Sequence, residues 1–439
     1  MGRGKPASSR NYLPQSGSDE YSVTEYDLDL RYRVATNRLD ATATVRGRAN
    51  TLLRSIRLDL VRLKAKRVKL AGDTAAKYSQ TATHLVVRPS APIEPGEDFT
   101  VEIAYDGSPA PRRTRWGTLG WEELEDGVLV ASQPSGAPTW FPCNDRPADK
   151  ARYRIRVTTE QAYTVLATGQ LVDHTVTGGR GSWTFEQDEP TATYLVTVQL
   201  GRYTLEPRRS AGVDWVIAYP APLARQVLHD LEPVGRMLGV FQELFGPYPF
   251  RSYAVVVTED PLEIPLESQG MATFGPNQLD GHRTEERLVA HELAHQWFGN
   301  SVGLAGWHDI WLNEGFACYA EWLWAERSVG PTADALARQH HAGLRAAPQN
   351  LILGDPGADR MFDDRVYKRG ACLLHDVRLT LGDDAFFTLL RAWTHRFAHR
   401  TATTADFRAL AQSFTDASLD ALFDRWLAQA ALPPLPPAA

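Results

Sequence analysis

Two histidines four residues apart, His291 and His295, stand in the run TEERLVAHELAHQWFGN at 284–300. On a helix that spacing puts both imidazoles on one face. Glu292 follows His291 and turns about 100° away from it, beside a metal rather than onto it. A catalytic zinc site needs a third protein ligand and leaves a fourth position to water. Glu314, in WLNEG at 311–315, supplies that carboxylate. A buried helix with two hydrogen-bonded histidines is the bland alternative, and Glu314 on a helix of its own argues against it. The pattern predicts a zinc hydrolase holding one Zn2+ per chain through His291, His295 and Glu314.

The elements that must position these groups carry their own signals. Thr284 reads as the N-cap of the first helix, Glu285 and Glu286 fall in its first turn, and Gly299-Asn300 provides a stop. The second helix is expected over 311–328, capped by Asp309 and ended by Gly330-Pro331. Glu314, Cys318 and Glu321 share one face of it. Glu321 is assigned to the outer shell, holding an imidazole N–H. Cys318 reads as a small core residue.

With 439 residues the chain should form two or three domains. Its 43% hydrophobic and 23% charged residues are those of a soluble globular protein. A formal net charge of −6 leaves no footprint for nucleic acid or an anionic membrane. Three widely spaced cysteines, Cys143, Cys318 and Cys372, define no disulfide framework. The first residues are basic but no apolar stretch follows them, and no run approaches the ~18 residues of a membrane span. A cytoplasmic protein is expected, with a monomer as the default.

Residues 1–20 are polar and rich in Gly, Ser and Pro, which predicts a disordered or loosely attached N-terminus. At 26–32 the pattern becomes period two, and short strand-like runs recur to about residue 203. They predict an antiparallel β-sandwich or saddle-shaped domain over 21–203. Beyond it the period lengthens. A β-branched strand at 252–258 opens a mostly α-helical catalytic domain over 204–435, giving an α+β chain.

Three further residues are candidates. Glu267 sits among small and apolar neighbours at 264–274; from sequence alone a surface-loop glutamate is the simpler reading. Gln133 lies in the most loop-like stretch of the β domain and carries little signal alone. Tyr367 opens a helix in RVYKRGA at 365–371, where a core tyrosine is the bland reading.

Together these segments resemble the M1 family of zinc aminopeptidases, gluzincins of the aminopeptidase N and leukotriene A4 hydrolase type. HELAHQWFGN at 291–300, WLNEGFACYAE at 311–321, GPYPF at 246–250 and VYKRGA at 366–371 match family segments in order. The resemblance implies a thermolysin-like catalytic domain and peptide substrates with a free N-terminus. It implies Glu292 as general base, Tyr367 as oxyanion donor and Glu267 as the partner of the substrate's α-ammonium, supported by Gln133. The chain departs from the family in several places. The exopeptidase motif G-x-M-E-N reads Ile264-Pro265-Leu266-Glu267-Ser268, the loop 133–141 is shorter than in aminopeptidase N, and Lys368-Arg369 replaces the usual Glu-Lys. A short form lacking the family's large helical C-terminal domain is expected. A zinc endopeptidase, an epoxide hydrolase and a catalytically silent peptide-binding protein are the competing readings.

Overall fold

The computed structural model describes residues 11–437, so the expectation of a loose terminus lies outside the described residues for 1–10. Residues 11–20 are held rather than loose. The Tyr12 hydroxyl donates to Asp355 and accepts from the Gly357 N–H at 2.8 Å. The Gly17 and Ser18 N–H groups donate to Asp59 and Asn144, each at 2.7 Å. Polar composition alone could not show these partners, because they lie far away in sequence.

The chain divides into two compact units. One holds residues 16–235 and 250–286, the other 11–15, 236–249 and 287–437. The first is β-rich. The period-two run at 26–32 belongs to the strand Tyr21–Arg33, whose Tyr26, Leu28, Leu30 and Tyr32 all face inward. That strand lies inside a seven-stranded sheet, between Arg38–Ala49 and Lys150–Glu160. It pairs antiparallel with the former and parallel with the latter, a departure from the all-antiparallel expectation. A five-stranded and a three-stranded sheet complete this layer. An aromatic cluster fills the core, with Tyr26 stacked on Tyr153 at 5.0 Å and Tyr32 edge-on to Trp121 at 4.9 Å.

A further five-stranded sheet carries Glu267. Its order is Tyr203–Ser210, Val213–Pro220, Ser252–Val257, Met271–Phe274 and, at the edge, Leu266–Ser268. The expected boundary at 203/204 placed this sheet with the helices, whereas its contacts place it with the β unit. Leu166 of the β unit packs against its Ala218, Val256 and Met271. The Gln269 N–H also donates to the Leu195 carbonyl at 3.0 Å.

The helices, in chain order, are α1 (Ala224–Asp230), α2 (Val234–Phe245), α3 (Glu286–Ala294), α4 (Trp311–Arg327), α5 (Ala333–Ala346), α6 (Asp364–Leu381), α7 (Asp383–Arg396), α8 (Thr404–Gln412) and α9 (Asp420–Leu427). Several begin on side-chain caps. Thr332 accepts from the Ala335 N–H, Asp363 from the Arg365 N–H, and Thr403 forms a reciprocal capping box with Asp406. Among the described residues no helix is long and apolar enough to cross a membrane.

Two expected caps have other roles. The Thr284 hydroxyl donates to Asp280 at 2.6 Å, and α3 starts two residues later. Asp309 does not cap α4; it accepts from Thr404 at 2.6 Å, and Thr404 in turn accepts from the Trp311 indole N–H at 2.8 Å. Asp309 thereby ties the start of α4 to α8.

Arg369 on α6 is buried, and every hydrogen bond shown for it goes to main-chain carbonyl oxygen. It donates to Trp426 and Leu351 at 3.2 and 3.3 Å, and to Gln429, Ala430 and Ala431 at 2.5–3.2 Å. Trp426 is in the last turn of α9, where unpaired carbonyls carry the negative end of the helix dipole, and Gln429, Ala430 and Ala431 follow just beyond it. Charged donors to such groups contribute more than neutral ones. Arg369→Ala should therefore lower unfolding stability by about 3 kcal/mol. A denaturant titration showing no shift in midpoint would remove this role.

Candidate metal centre

Helix α3 buries its second half, Val289 to Ala294, and delivers His291 and His295 along that face. The regular helix ends at Ala294, one residue before His295, rather than at Gly299. The His295 N–H still bonds the His291 carbonyl at 3.2 Å, so the two rings remain one turn apart, with centroids 4.7 Å from each other. Gly299 turns the chain with φ +116, and a Cβ there would come within 3.1 Å of the Asn313 amide and 3.3 Å of His295 Nδ1. Only glycine combines that backbone with that clearance.

Glu314 reaches the same point from α4. Its Oε2 lies 3.6 Å from His291 Nε2 and 3.5 Å from His295 Nε2. Ligands ~2.1 Å from one tetrahedral ion stand ~3.4 Å apart, so these separations suit a common ion. All three groups are buried. The far side of each ring is occupied as well. His291 Nδ1 lies 2.8 Å from Glu321 Oε1, and His295 Nδ1 lies 3.0 Å from the Phe298 carbonyl oxygen. With those Nδ1–H groups donating, each Nε2 lone pair is turned toward Glu314. The residues present fit a His2Glu zinc site.

The electrostatics agree with the geometry. Burial opposes a charge on His291, yet Glu314, Glu321 and Glu292 together push its proton affinity well above that of an ordinary imidazole. Burial likewise opposes ionisation of Glu314, but the two imidazoles hold its carboxyl well below the usual range. The cluster calls for positive charge, and a divalent ion supplies it without protonating a ligand.

Tyr367 comes from α6. Its ring lies parallel to that of His291, at 6.0 Å and 21°. A close helix crossing brings it there: a Cβ on Gly315 or on Gly370 would stand 2.8 Å from the other's Cα. Side chains at those two positions would separate α4 from α6, and with them Glu314 from Tyr367. Glu292 is buried on α3 beside His291. Gln133 and Glu267 stand in the β unit, where the Gln133 amide donates to Glu267 Oε1 at 2.5 Å although the two are 134 positions apart. Glu267 is thus half-buried on a strand, not a loop residue in water.

Two neighbours of this centre were not singled out from the sequence. Arg287 lies 3.5 Å from Glu321 Oε2. Its place one turn before His291 on the same helix face was the available signal. Lys368 donates to Cys318 Sγ at 3.4 Å, and only its departure from the family pattern marked it.

Comparison with known proteins agrees with this architecture. The family described as the Peptidase M1 N-terminal domain matches residues 22–195, and the Peptidase family M1 domain matches 229–426. Aminopeptidase M1-A of Oryza sativa subsp. japonica is 27% identical over 80% of this chain and 42% of its own length. Aminopeptidase N of Rattus norvegicus is 26% identical over 83% of this chain and 43% of its own. The chain thus spans less than half the length of these curated relatives. A crystal structure of an M1 zinc metallopeptidase variant from Deinococcus radiodurans, bound to a Tyr-Ser-Ala substrate, superposes with a TM-score of 0.89. It is 31% identical and covers 97% of this chain and 98% of that one. With its fold, its site and its sequence matched over both halves, the chain belongs to peptidase family M1.

Proposed function

We propose that this protein is a zinc aminopeptidase that removes N-terminal residues from peptides. The convergence of His291, His295 and Glu314 on one buried point carries the reading. The zinc and peptide named for the Deinococcus structure and the aminopeptidase names of the relatives support it.

Zn2+ held by these residues supplies a Lewis acid that polarises a scissile carbonyl and acidifies water. Glu292 accepts the proton of the attacking water and returns it to the leaving amine. The Tyr367 hydroxyl donates to the oxygen that gains charge in the tetrahedral intermediate, where one such donor is worth ~10²–10³ in turnover. Glu267 pairs with the substrate's α-ammonium, and the Gln133 amide fixes the direction of that carboxylate. A peptide blocked at its N-terminus brings no charge to this pair and leaves a half-buried carboxylate without its partner, which makes the enzyme an exopeptidase.

Three outcomes are expected. Glu292→Gln should retain one zinc per chain while turnover falls by at least ~10³-fold; unchanged turnover by the variant would exclude Glu292 as the base. Free aminoacyl anilides should be cleaved and their N-acetylated forms left intact, with Glu267→Ala raising KM by roughly 10–100-fold at unchanged zinc content. Equal cleavage of both forms would instead mark an endopeptidase. Finally, metal uptake should be linked to proton release. The metal-free His291 has its pKa raised from 6.5 to about 10, so it keeps its proton through neutral pH and the incoming ion must displace it. Apparent zinc affinity should therefore rise from pH 6 to pH 8. Calorimetry in buffers of different ionisation enthalpy reads the proton directly, and a count of zero contradicts this field.

A further inference from the structure

Glu321 is nearly buried and makes its closest contact with His291 Nδ1, at 2.8 Å from its Oε1. A carboxylate so placed stays ionised and keeps its rotamer only if its other oxygen also meets a partner. Arg287 does this directly from α3, one turn before His291, with its Nη1 3.5 Å from Glu321 Oε2. Lys368 on α6 adds a charge that favours the ionised carboxylate, while the ion pair its ammonium makes is with Asp364, at 4.0 Å. The Lys368 side chain is only 15% exposed, and its ammonium is held by Cys318, which lies on the same face of α4 as Glu321, three residues earlier. Lys368 also adjoins Tyr367. One ammonium therefore fixes α6 against α4 immediately beside the ring that faces His291.

We propose that Lys368 and Arg287 are positioning residues of the metal centre: Arg287 directly from α3, and Lys368 from α6 through Cys318 on the same face of α4, hold Glu321 so that its Oε1 stays on the His291 ring. The proposal rests on the zinc reading above and adds to it a source of metal retention that the three ligands do not provide. Partners of metal-bound imidazoles typically govern metal affinity by about 10–100-fold. Arg287 is more than half exposed, and water weakens its share. Lys368 is the stronger of the two.

The test is zinc release from the loaded full-length chain into excess chelator, followed by a metal indicator and needing no peptidase activity. Lys368→Met should speed release roughly tenfold and Arg287→Met about threefold, whereas Arg287→Lys should stay near the parent rate. In steady-state kinetics on an anilide, Lys368→Met should lower kcat while KM holds, because the ammonium touches no substrate. Unchanged release in both Met variants, with thermal midpoints equal to the parent's, overturns the clamp. Equal acceleration by Arg287→Lys and Arg287→Met also overturns it, since charge would then be irrelevant. If Lys368→Met does not fold, Arg287→Met against Arg287→Lys decides alone. A parent chain that takes up no zinc refutes the zinc reading itself; a parent that holds zinc tightly with variants that do the same refutes only the clamp.

Discussion

A carboxylate removed from water must be matched by positive charge, and Glu314 is removed from water almost completely. Among the described residues its close partners in the centre are two imidazole nitrogens at 3.5 and 3.6 Å, each turned inward because its opposite nitrogen is already engaged. Much of the helical unit follows from this requirement. The rings must be one turn apart on one helix. The carboxylate must come from a second helix close enough to reach them. The outer partners, Glu321 and the Phe298 carbonyl, must hold the rings so that the lone pairs converge.

Distance sets the next constraint. Tyr367 on α6 can face the His291 ring while Glu314 reaches it from α4 only where α4 and α6 nearly touch. Gly315 and Gly370 permit this, since any Cβ would stand 2.8 Å from the facing Cα. The two helices are also anchored from outside the crossing. Arg369, next to Gly370, spreads its guanidinium over carbonyls at and beyond the end of α9. Asp309 and Thr404 tie the start of α4 to α8. The crossing is thus fixed just beside Glu314 and Tyr367, where a small shift would cost most.

What the sequence made legible was periodic or local. The HELAH spacing and the carboxylate on WLNEG are properties of one helix turn, and alternation at 26–32 is a property of one strand; all three could be read without knowing the fold. The caps were misread because Thr284 and Asp309 have the right chemistry in the right place, yet each found a stronger partner. For Thr284 it was Asp280 nearby, and for Asp309 it was Thr404, distant in sequence. Local propensity gives way to a better hydrogen bond from elsewhere. The contacts of Arg287 with Glu321 and of Lys368 with Cys318 each join two helices, a relation no single segment contains. The Gln133–Glu267 contact, 134 positions apart, had no local signature, and the two residues were singled out separately by family resemblance alone.

That last pair lies wholly within the β unit, as does the sheet bearing Glu267. A short hydrogen bond from Gln133 can orient a carboxylate only if the two backbones are held to within a few tenths of an ångström. Glu267 lies on an edge strand of three residues, a weak support by itself. The support comes from neighbours on both sides. Ala272 pairs with Glu267 across the ladder, Gln199 donates to the adjacent Thr273 at 3.3 Å, and Gln269 is bonded to the Leu195 carbonyl just beyond the turn. Each of those tethers begins in the β unit. A boundary drawn where the hydrophobic period changes from two to 3.6 separates strands from helices. The contacts of Glu267 draw a different boundary, which keeps its whole sheet in the β unit.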